Sequence, residues 1–173
     1  MKILKIAIAG LGTVGAKTLQ ELLANAARHA SRADGTVLKV VAVSARDRNK
    51  DRGVNLDESG IQWYDDPVQM AREADVDVIV ELIGGADGVA KAVVEAAIAA
   101  GKHVVTANKA LLAKHGMELA RAAEARGVTI AFEPAVAGGI PVILLLRQGL
   151  TANRLSRVGG ILNGTTNYIL SRM

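Results

Sequence analysis

Two spacings of apolar residues alternate along the chain. Residues 3–9, 37–43, 76–83, 103–106 and 128–132 are short apolar, mostly β-branched runs, and each predicts a buried strand. Between them lie stretches with helical spacing. Residues 13–28 place Val14, Leu19, Leu22 and Leu23 on or near one face. Residues 67–74 predict a short helix opened by Asp65, Asp66 and Pro67. Residues 87–100 form an Ala/Val helix stopped by Gly101, and residues 110–126 a further helix stopped by Gly127. Residues 29–36 are polar and end in the turn signal Asp34-Gly35. Residues 46–59 are charged and aperiodic, which predicts an exposed loop. Strands that alternate with helices across mostly short loops predict an α/β fold, a doubly wound parallel sheet with right-handed crossovers. After Glu133 the texture changes. Ala137-Gly138-Gly139-Ile140-Pro141 opens a predicted helix to about residue 148, residues 157–162 predict a strand, and Asn163-Gly164-Thr165-Thr166-Asn167 starts a helix that runs to the end.

Composition narrows this picture. Half of the 173 residues are apolar, yet only Trp63, Tyr64, Phe132 and Tyr168 are aromatic. Apart from four methionines, Ala, Val, Ile and Leu make up the rest, a mixture suited to parallel strands under Ala-rich helices. The length holds one domain with a real core and is tight for two. No apolar run approaches the roughly 18 residues of a membrane span, and the N-terminus enters a strand pattern without a signal-peptide region. A cytoplasmic location is expected. There are no cysteines, which excludes disulfides, thiolate metal sites and a covalent thiol mechanism. The net charge of +4 is dispersed, and its densest stretch, 46–52, is interleaved with Asp47 and Asp51. That is not the basic stripe with stacking aromatics that nucleic acid requires.

The first candidate site is the turn Gly10-Leu11-Gly12-Thr13-Val14-Gly15. It follows a predicted strand and opens a predicted helix, the context that gives the GxGxxG pattern its meaning. Gly10 permits a tight turn, Gly12 lets backbone approach a pyrophosphate, and Gly15 lets helix and strand pack closely. Thr13 and Val14 contribute free amides at the positive end of the helix dipole. Residues 1–137 therefore read as a Rossmann-type NAD(P)-binding domain. An acid at the end of the second strand would hydrogen-bond the ribose of NAD. Asp34 lies before that strand, at the wrong edge of the sheet. The strand ends in Val43-Ser44-Ala45-Arg46, so Arg46, with Arg48, favours the 2′-phosphate of NADP. Asp47 leaves the ribose of NAD open.

In such sheets ligands lie beyond the carboxyl ends of the strands. Gly84 and Gly85, after Glu81-Leu82-Ile83, allow a ligand close to the backbone. Lys109, after Thr106-Ala107-Asn108, stands at a helix start, where a cation is disfavoured without an anionic partner. A partly desolvated lysine there suggests proton transfer or charge stabilisation. Glu133 begins a run of small residues whose carbonyls could complete a hard-cation site, or it caps or pairs locally. His29, His103 and His115 lack metal-ligand spacing, and His103 reads as structural.

Taken together, the glycine turn, Thr106-Ala107-Asn108-Lys109, the 133–141 segment Glu-Pro-Ala-Val-Ala-Gly-Gly-Ile-Pro and Asn163-Gly164-Thr165-Thr166-Asn167 resemble the homoserine dehydrogenase family over essentially the whole chain. That resemblance implies an oxidoreductase that interconverts aspartate 4-semialdehyde and homoserine with NAD(P)H, on the branch toward threonine, methionine and isoleucine. It implies that Lys109 stands beside nicotinamide and substrate as the catalytic lysine. It places Ile83, Gly84, Ala107 and Arg46 along the cofactor. It makes Glu133 with the carbonyls of Val136, Gly138 and Ile140 a sodium site. Residues 138–173, with Gly164, Thr165 and Thr166 toward the substrate, become the beginning of an α+β substrate and dimerisation domain. The family's homodimer, further substrate-binding acids and second lysine would lie beyond residue 173, so the segment is expected not to complete the reaction alone. Related aldehyde dehydrogenases that form an acyl-enzyme need a thiol and are excluded. A non-catalytic dinucleotide sensor is the remaining alternative.

Overall fold

The apolar runs emerge as strands in the computed structural model, which describes all residues except 1, 57–58 and 161–163. In chain order the elements are β1 (Ile3–Ala9), α1 (Thr13–Ala24), α2 (Ala26–Arg32), β2 (Val37–Ser44), β3 (Gln62–Tyr64), α3 (Pro67–Glu73), β4 (Val78–Glu81), α4 (Val89–Ala99), β5 (His103–Thr106), α5 (Lys109–Arg126) and β6 (Ile130–Ala131). All pairings are parallel, and the strand order is β3-β2-β1-β4-β5-β6. The order reverses between β1 and β4, which creates a crevice beyond their carboxyl ends.

Alternation along β1 divides the core. Ile6 and Ile8 enter one apolar cluster with Leu11, Leu19 and Val43, while Ala7 and Ala9 enter another with Met70, Val93 and Val94. One strand thus feeds helices on both faces of the sheet, as its period of two requires. Helix ends are sealed by local chemistry. The Asp66 side chain accepts from the Val68 amide to start α3, the Asn108 side chain accepts from the Leu111 amide to start α5, and Gly127 closes α5 in the left-handed conformation.

Several boundaries differ from the sequence expectation. The helix predicted over 13–28 breaks at Asn25, whose backbone leaves the helical region and whose side chain donates to Glu21 Oε1 at 2.8 Å. Local side-chain bonds of this kind compete with helix continuation. The edge strand β3 was not predicted, because three residues are too few to show a period. The helix predicted from the 137–141 segment starts only at α6 (Val142–Leu144) and continues as a π-helical turn over Leu145–Gly149. Ala137 and Gly139 have positive φ and cannot join a right-handed helix. The strand predicted over 157–162 is absent from its described part, 157–160, and residues 161–162 lie outside the described residues. Finally, α7 (Gly164–Arg172) buries none of its residues. Ile140, Leu144, Leu145, Ile169 and Leu170 are all exposed, so the buried core belongs to the sheet and its helices.

Lys102 joins two of these layers. Its stem is buried, and its ammonium donates to the carbonyls of Ala71 (2.8 Å), Arg72 (3.1 Å) and Ala74 (2.7 Å), around the end of α3. Burial pushes the Lys102 ammonium below the ordinary lysine range. The Asp75 carboxylate opposes that shift, the three carbonyls satisfy the ammonium's donors, and a cation also suits a helix C-terminus. Lys102→Met keeps the stem and strands the carbonyls. It is expected to cost about 2–3 kcal/mol, the range for charge-assisted bonds lost from a buried site. Urea unfolding followed by circular dichroism would measure this, and an unchanged midpoint would contradict the role.

Candidate functional site: a cleft over the glycine turn

The glycines of the turn perform three different structural tasks. Gly10 has φ +99°, and a Cβ there would lie 2.7 Å from the Leu82 carbonyl oxygen. A Cβ on Gly15 would lie 1.9 Å from the Gly10 carbonyl oxygen, so α1 rests directly on the turn. A Cβ on Gly12 would meet nothing within 4 Å. The fold therefore demands glycine at positions 10 and 15 but not at 12, where the space above the backbone is open. Gly12 is also the N-cap of α1, which has no side-chain cap and no acid in its first turn. Thr13 and Val14 follow, both exposed. A helix start left bare in this way suits an anion.

Above the turn lies a cleft of about 590 Å³, in the range of small-molecule sites. Its walls include Gly10, Leu11, Gly12, Ser44, Arg46, Lys50, Asp65 and Ile83. The Gly10 amide donates to the Ser44 carbonyl at 2.8 Å, tying the turn to the end of β2. Ser44 is buried, and its hydroxyl has no hydrogen-bond partner. A bare helix start, an open position at Gly12, an orphaned hydroxyl and two exposed basic side chains together fit a phosphate-bearing dinucleotide. The loop read as fully exposed is not so. Arg52, a residue that sequence reasoning did not single out, is buried within it and also lines the cleft. Lys50 and Asp65 are likewise additions to the predicted set.

The other half of the crevice is organised by Glu81, which is fully buried. Its carboxylate accepts from the amides of Ile83 (2.8 Å) and Gly84 (3.1 Å) and from the Thr106 hydroxyl (2.6 Å). The Thr106 hydroxyl accepts in turn from the Asn108 amide at 3.0 Å, and the Asn108 side chain donates to the Gly85 carbonyl at 2.7 Å. One network thus bends the chain at Gly84 and Gly85, both at positive φ, and sets the start of α5. Lys109 is the first residue of that helix. It is exposed, so the desolvation expected for it is not supplied by this chain's own packing. Ala107 is half-buried beside it.

The remaining predicted residues lie elsewhere. Glu133 caps α6, with Oε1 accepting from the Ile143 amide (3.0 Å) and Oε2 from the Leu144 amide (3.1 Å). The Ile140 carbonyl accepts from Val142 at 2.8 Å. The Glu133 carboxylate and the Ile140 carbonyl, two of the groups that the family resemblance assigns to sodium, thus accept from main-chain amides. No acid or histidine cluster fit for a metal occurs among the described residues. Gly164, Thr165 and Thr166 sit on exposed α7 and do not line the cleft, and Asn163 lies outside the described residues. His103 Nδ1 accepts from the Thr129 amide at 3.0 Å, a structural bond between β5 and the approach to β6.

A parallel sheet in this order, with a bare glycine turn under its switch point, defines a dinucleotide-binding α/β domain. Comparisons with known proteins give the family. The profile described as "Homoserine dehydrogenase, NAD binding domain" matches residues 10–133, and that described as "Homoserine dehydrogenase" matches residues 141–173. The chain belongs to the homoserine dehydrogenase family. It is 48% identical over 173 residues to the homoserine dehydrogenase of Pseudomonas aeruginosa, covering all of this chain and 38% of that protein. A crystal structure of a homoserine dehydrogenase from Thiobacillus denitrificans superposes with TM-score 0.82 at 46% identity, covering 100% of this chain and 39% of that one. A hyperthermophilic archaeal homoserine dehydrogenase solved in complex with NADPH gives TM-score 0.65 at 26% identity, covering 84% of this chain and 48% of that one. The chain therefore spans well under half the length of the first two relatives.

Two predictions separate ligand space from fold. Gly12→Ala should leave the thermal midpoint unchanged within about 2 °C, while Gly15→Ala should lower it by several degrees or prevent folding, because its clash is with backbone. Equal midpoints for the two variants would refute the division of roles. Glu81→Leu should destabilise by at least about 2 kcal/mol, since it orphans the buried Thr106 hydroxyl and the half-buried Ile83 amide at about 1–3 kcal/mol each. Denaturant titration would read this, and a loss under 1 kcal/mol would sink the network's importance.

Proposed function

We propose that this chain supplies the dinucleotide-binding part of a homoserine dehydrogenase, which interconverts L-aspartate 4-semialdehyde and L-homoserine. The observation that carries the reading is the open position above Gly12 at an uncapped helix start, with Arg46 and Lys50 on the rim of the same cleft. The amides around Gly12, Thr13 and Val14 hold the pyrophosphate, with Leu11 and the two tight glycines shaping the turn beneath it. Arg46 and Lys50 face the 2′-phosphate, and their charges favour NADP over NAD. The relative solved with NADPH supports that choice. Asp47 and Asp65 also line the cleft, but one oxygen of each is already engaged, by the Asn49 amide (2.9 Å) and the Trp63 indole (2.8 Å) respectively.

The bound dinucleotide supplies or takes up a hydride at the substrate carbon. Ile83, Gly84 and Ala107 shape the nicotinamide half of the crevice. Lys109, at the start of α5, holds the proton of the alcohol oxygen. Gly164, Thr165 and Thr166 open the substrate side, which the rest of the protein completes as a cytoplasmic homodimer. This chain spans 38% of the Pseudomonas aeruginosa relative, and we assign it cofactor binding, with turnover depending on the rest of the enzyme.

Calorimetry with NADPH and NADH tests the cofactor assignment. Arg46→Ala should weaken NADPH about tenfold, some 1.4 kcal/mol, while changing NADH by less than about twofold. Equal losses would remove Arg46 from the 2′-phosphate. For the reaction, the chain is supplemented with the C-terminal remainder of the Pseudomonas aeruginosa relative and assayed for homoserine-dependent NADPH formation. Dinucleotide binding without turnover in that assay would favour a sensor.

A further inference from the structure

We propose that Arg52 is a positioning residue for the adenosine end of the cofactor. Its guanidinium locks the loop carrying Arg46 and Lys50 onto the glycine turn and thereby sets the preference for NADPH over NADH. The inference rests on the cofactor reading above and assigns a role to a cleft-lining residue whose hydrogen bonds run to main-chain carbonyls.

Arg52 is 7% exposed, although Lys50, Asp51 and Gly53 around it are exposed. Burying a guanidinium is costly unless its donors are satisfied. Here they are directed at main-chain carbonyls. Nε donates to Leu11 at 3.3 Å, Nη1 to Lys50 at 2.7 Å and Nη2 to Asp47 at 2.5 Å. The guanidinium carbon lies 5.6 Å from the centre of the Trp63 ring on β3, within cation–π range. Gln20, on α1, donates to the carbonyl of Arg52 itself at 2.5 Å. The loop is thus fixed to the turn, to the edge strand and to α1 through one residue.

Two consequences follow for a ligand. The Leu11 carbonyl and the Gly12 amide belong to one planar peptide, so fixing the first fixes the direction of the second. Holding the carbonyls of Asp47 and Lys50 fixes the backbone from which Arg46 and Lys50 project into the cleft. The carbonyls of Leu11, Lys50 and Asp47 are met by three different nitrogens spread across a planar fork, whereas a lysine would have to meet all three from one nitrogen. Charge alone should therefore not substitute for arginine.

The test uses Trp63, the only tryptophan of the chain, whose emission reports titration with NADPH or NADH. Arg52→Met should weaken NADPH about tenfold or more and bring the NADPH-to-NADH affinity ratio close to one. Arg52→Lys should lose most of the same preference. In the double variant with Arg46→Ala the ratio should fall no further than in Arg46→Ala alone, because both residues act through one contact. Thermal melting accompanies each titration. Should Arg52→Met fail to fold, Gln20→Ala, which leaves Arg52 in place but frees the loop from α1, should lower the ratio about threefold at an unchanged midpoint, within what one hydrogen bond contributes. An unchanged ratio in the folded variants, full rescue by Arg52→Lys, or additive losses with Arg46→Ala would overturn the proposal. If the unmodified chain binds neither dinucleotide, the cofactor reading falls with it. If it binds but the ratio is insensitive to Arg52, only this inference falls.

Discussion

A carboxylate buried without any solvent contact must be fully hydrogen-bonded, and Glu81 shows what that requirement does to a fold. It sits at the last position of a central strand, where the chain has to leave the sheet. Two of its acceptor sites take amides two and three residues ahead, and a third takes the Thr106 hydroxyl from the neighbouring strand. The local bonds force the turn at Gly84 and Gly85. The cross-strand bond extends through Thr106 to Asn108 and so to the first turn of α5. The shape of the crevice beyond β4 and β5 depends on this single group, and the buried Thr106 hydroxyl would be stranded in the interior without it.

The half of the crevice over the glycine turn follows the same logic with the opposite charge. There a buried guanidinium gathers carbonyls, where Glu81 gathers N–H and O–H donors. In both halves a buried charged side chain orders the main chain around it. The turn itself tolerates little. Gly15 packs against the carbonyl of Gly10, and Gly10 against that of Leu82, so turn, helix and the β4 exit form one close-packed unit. Only Gly12 is free of that constraint.

Much of this was legible in the sequence where the pattern is long or chemically distinctive. β1 and β5 fall on the predicted limits, and the glycine turn lies where its spacing and flanking pattern require. Shorter or context-dependent features were hidden. β3 has three residues and no period to detect. Asn25 breaks a helix whose apolar face continues across it. Arg52 sits in a charged run that reads as solvated, and only the folded chain reveals that its fork meets three carbonyls. A clue was available, since Trp63 lies close in sequence and offers a partner for a buried cation. Glu133 was read as a cation ligand or a local cap, and the structure shows the cap, because Pro141 begins a helix whose first amides need an acceptor.

The two helix starts beneath the crevice differ in how their first amides are satisfied. At α5 the Asn108 side chain takes the Leu111 amide, so its first turn is already capped by the protein. Lys109 then follows in a first turn without acid, an unfavourable place for a cation by itself. At α1 the cap is a glycine with no side chain to offer, and no acid follows it. The amides at that start have to find an acceptor from outside the chain, in water or in a ligand. Anion affinity therefore concentrates over Gly12, and the ammonium of Lys109 is left available for a group that arrives with negative charge. An electrostatic division between an anion-binding end at α1 and a cationic end at α5 is thus built into how these two helices begin.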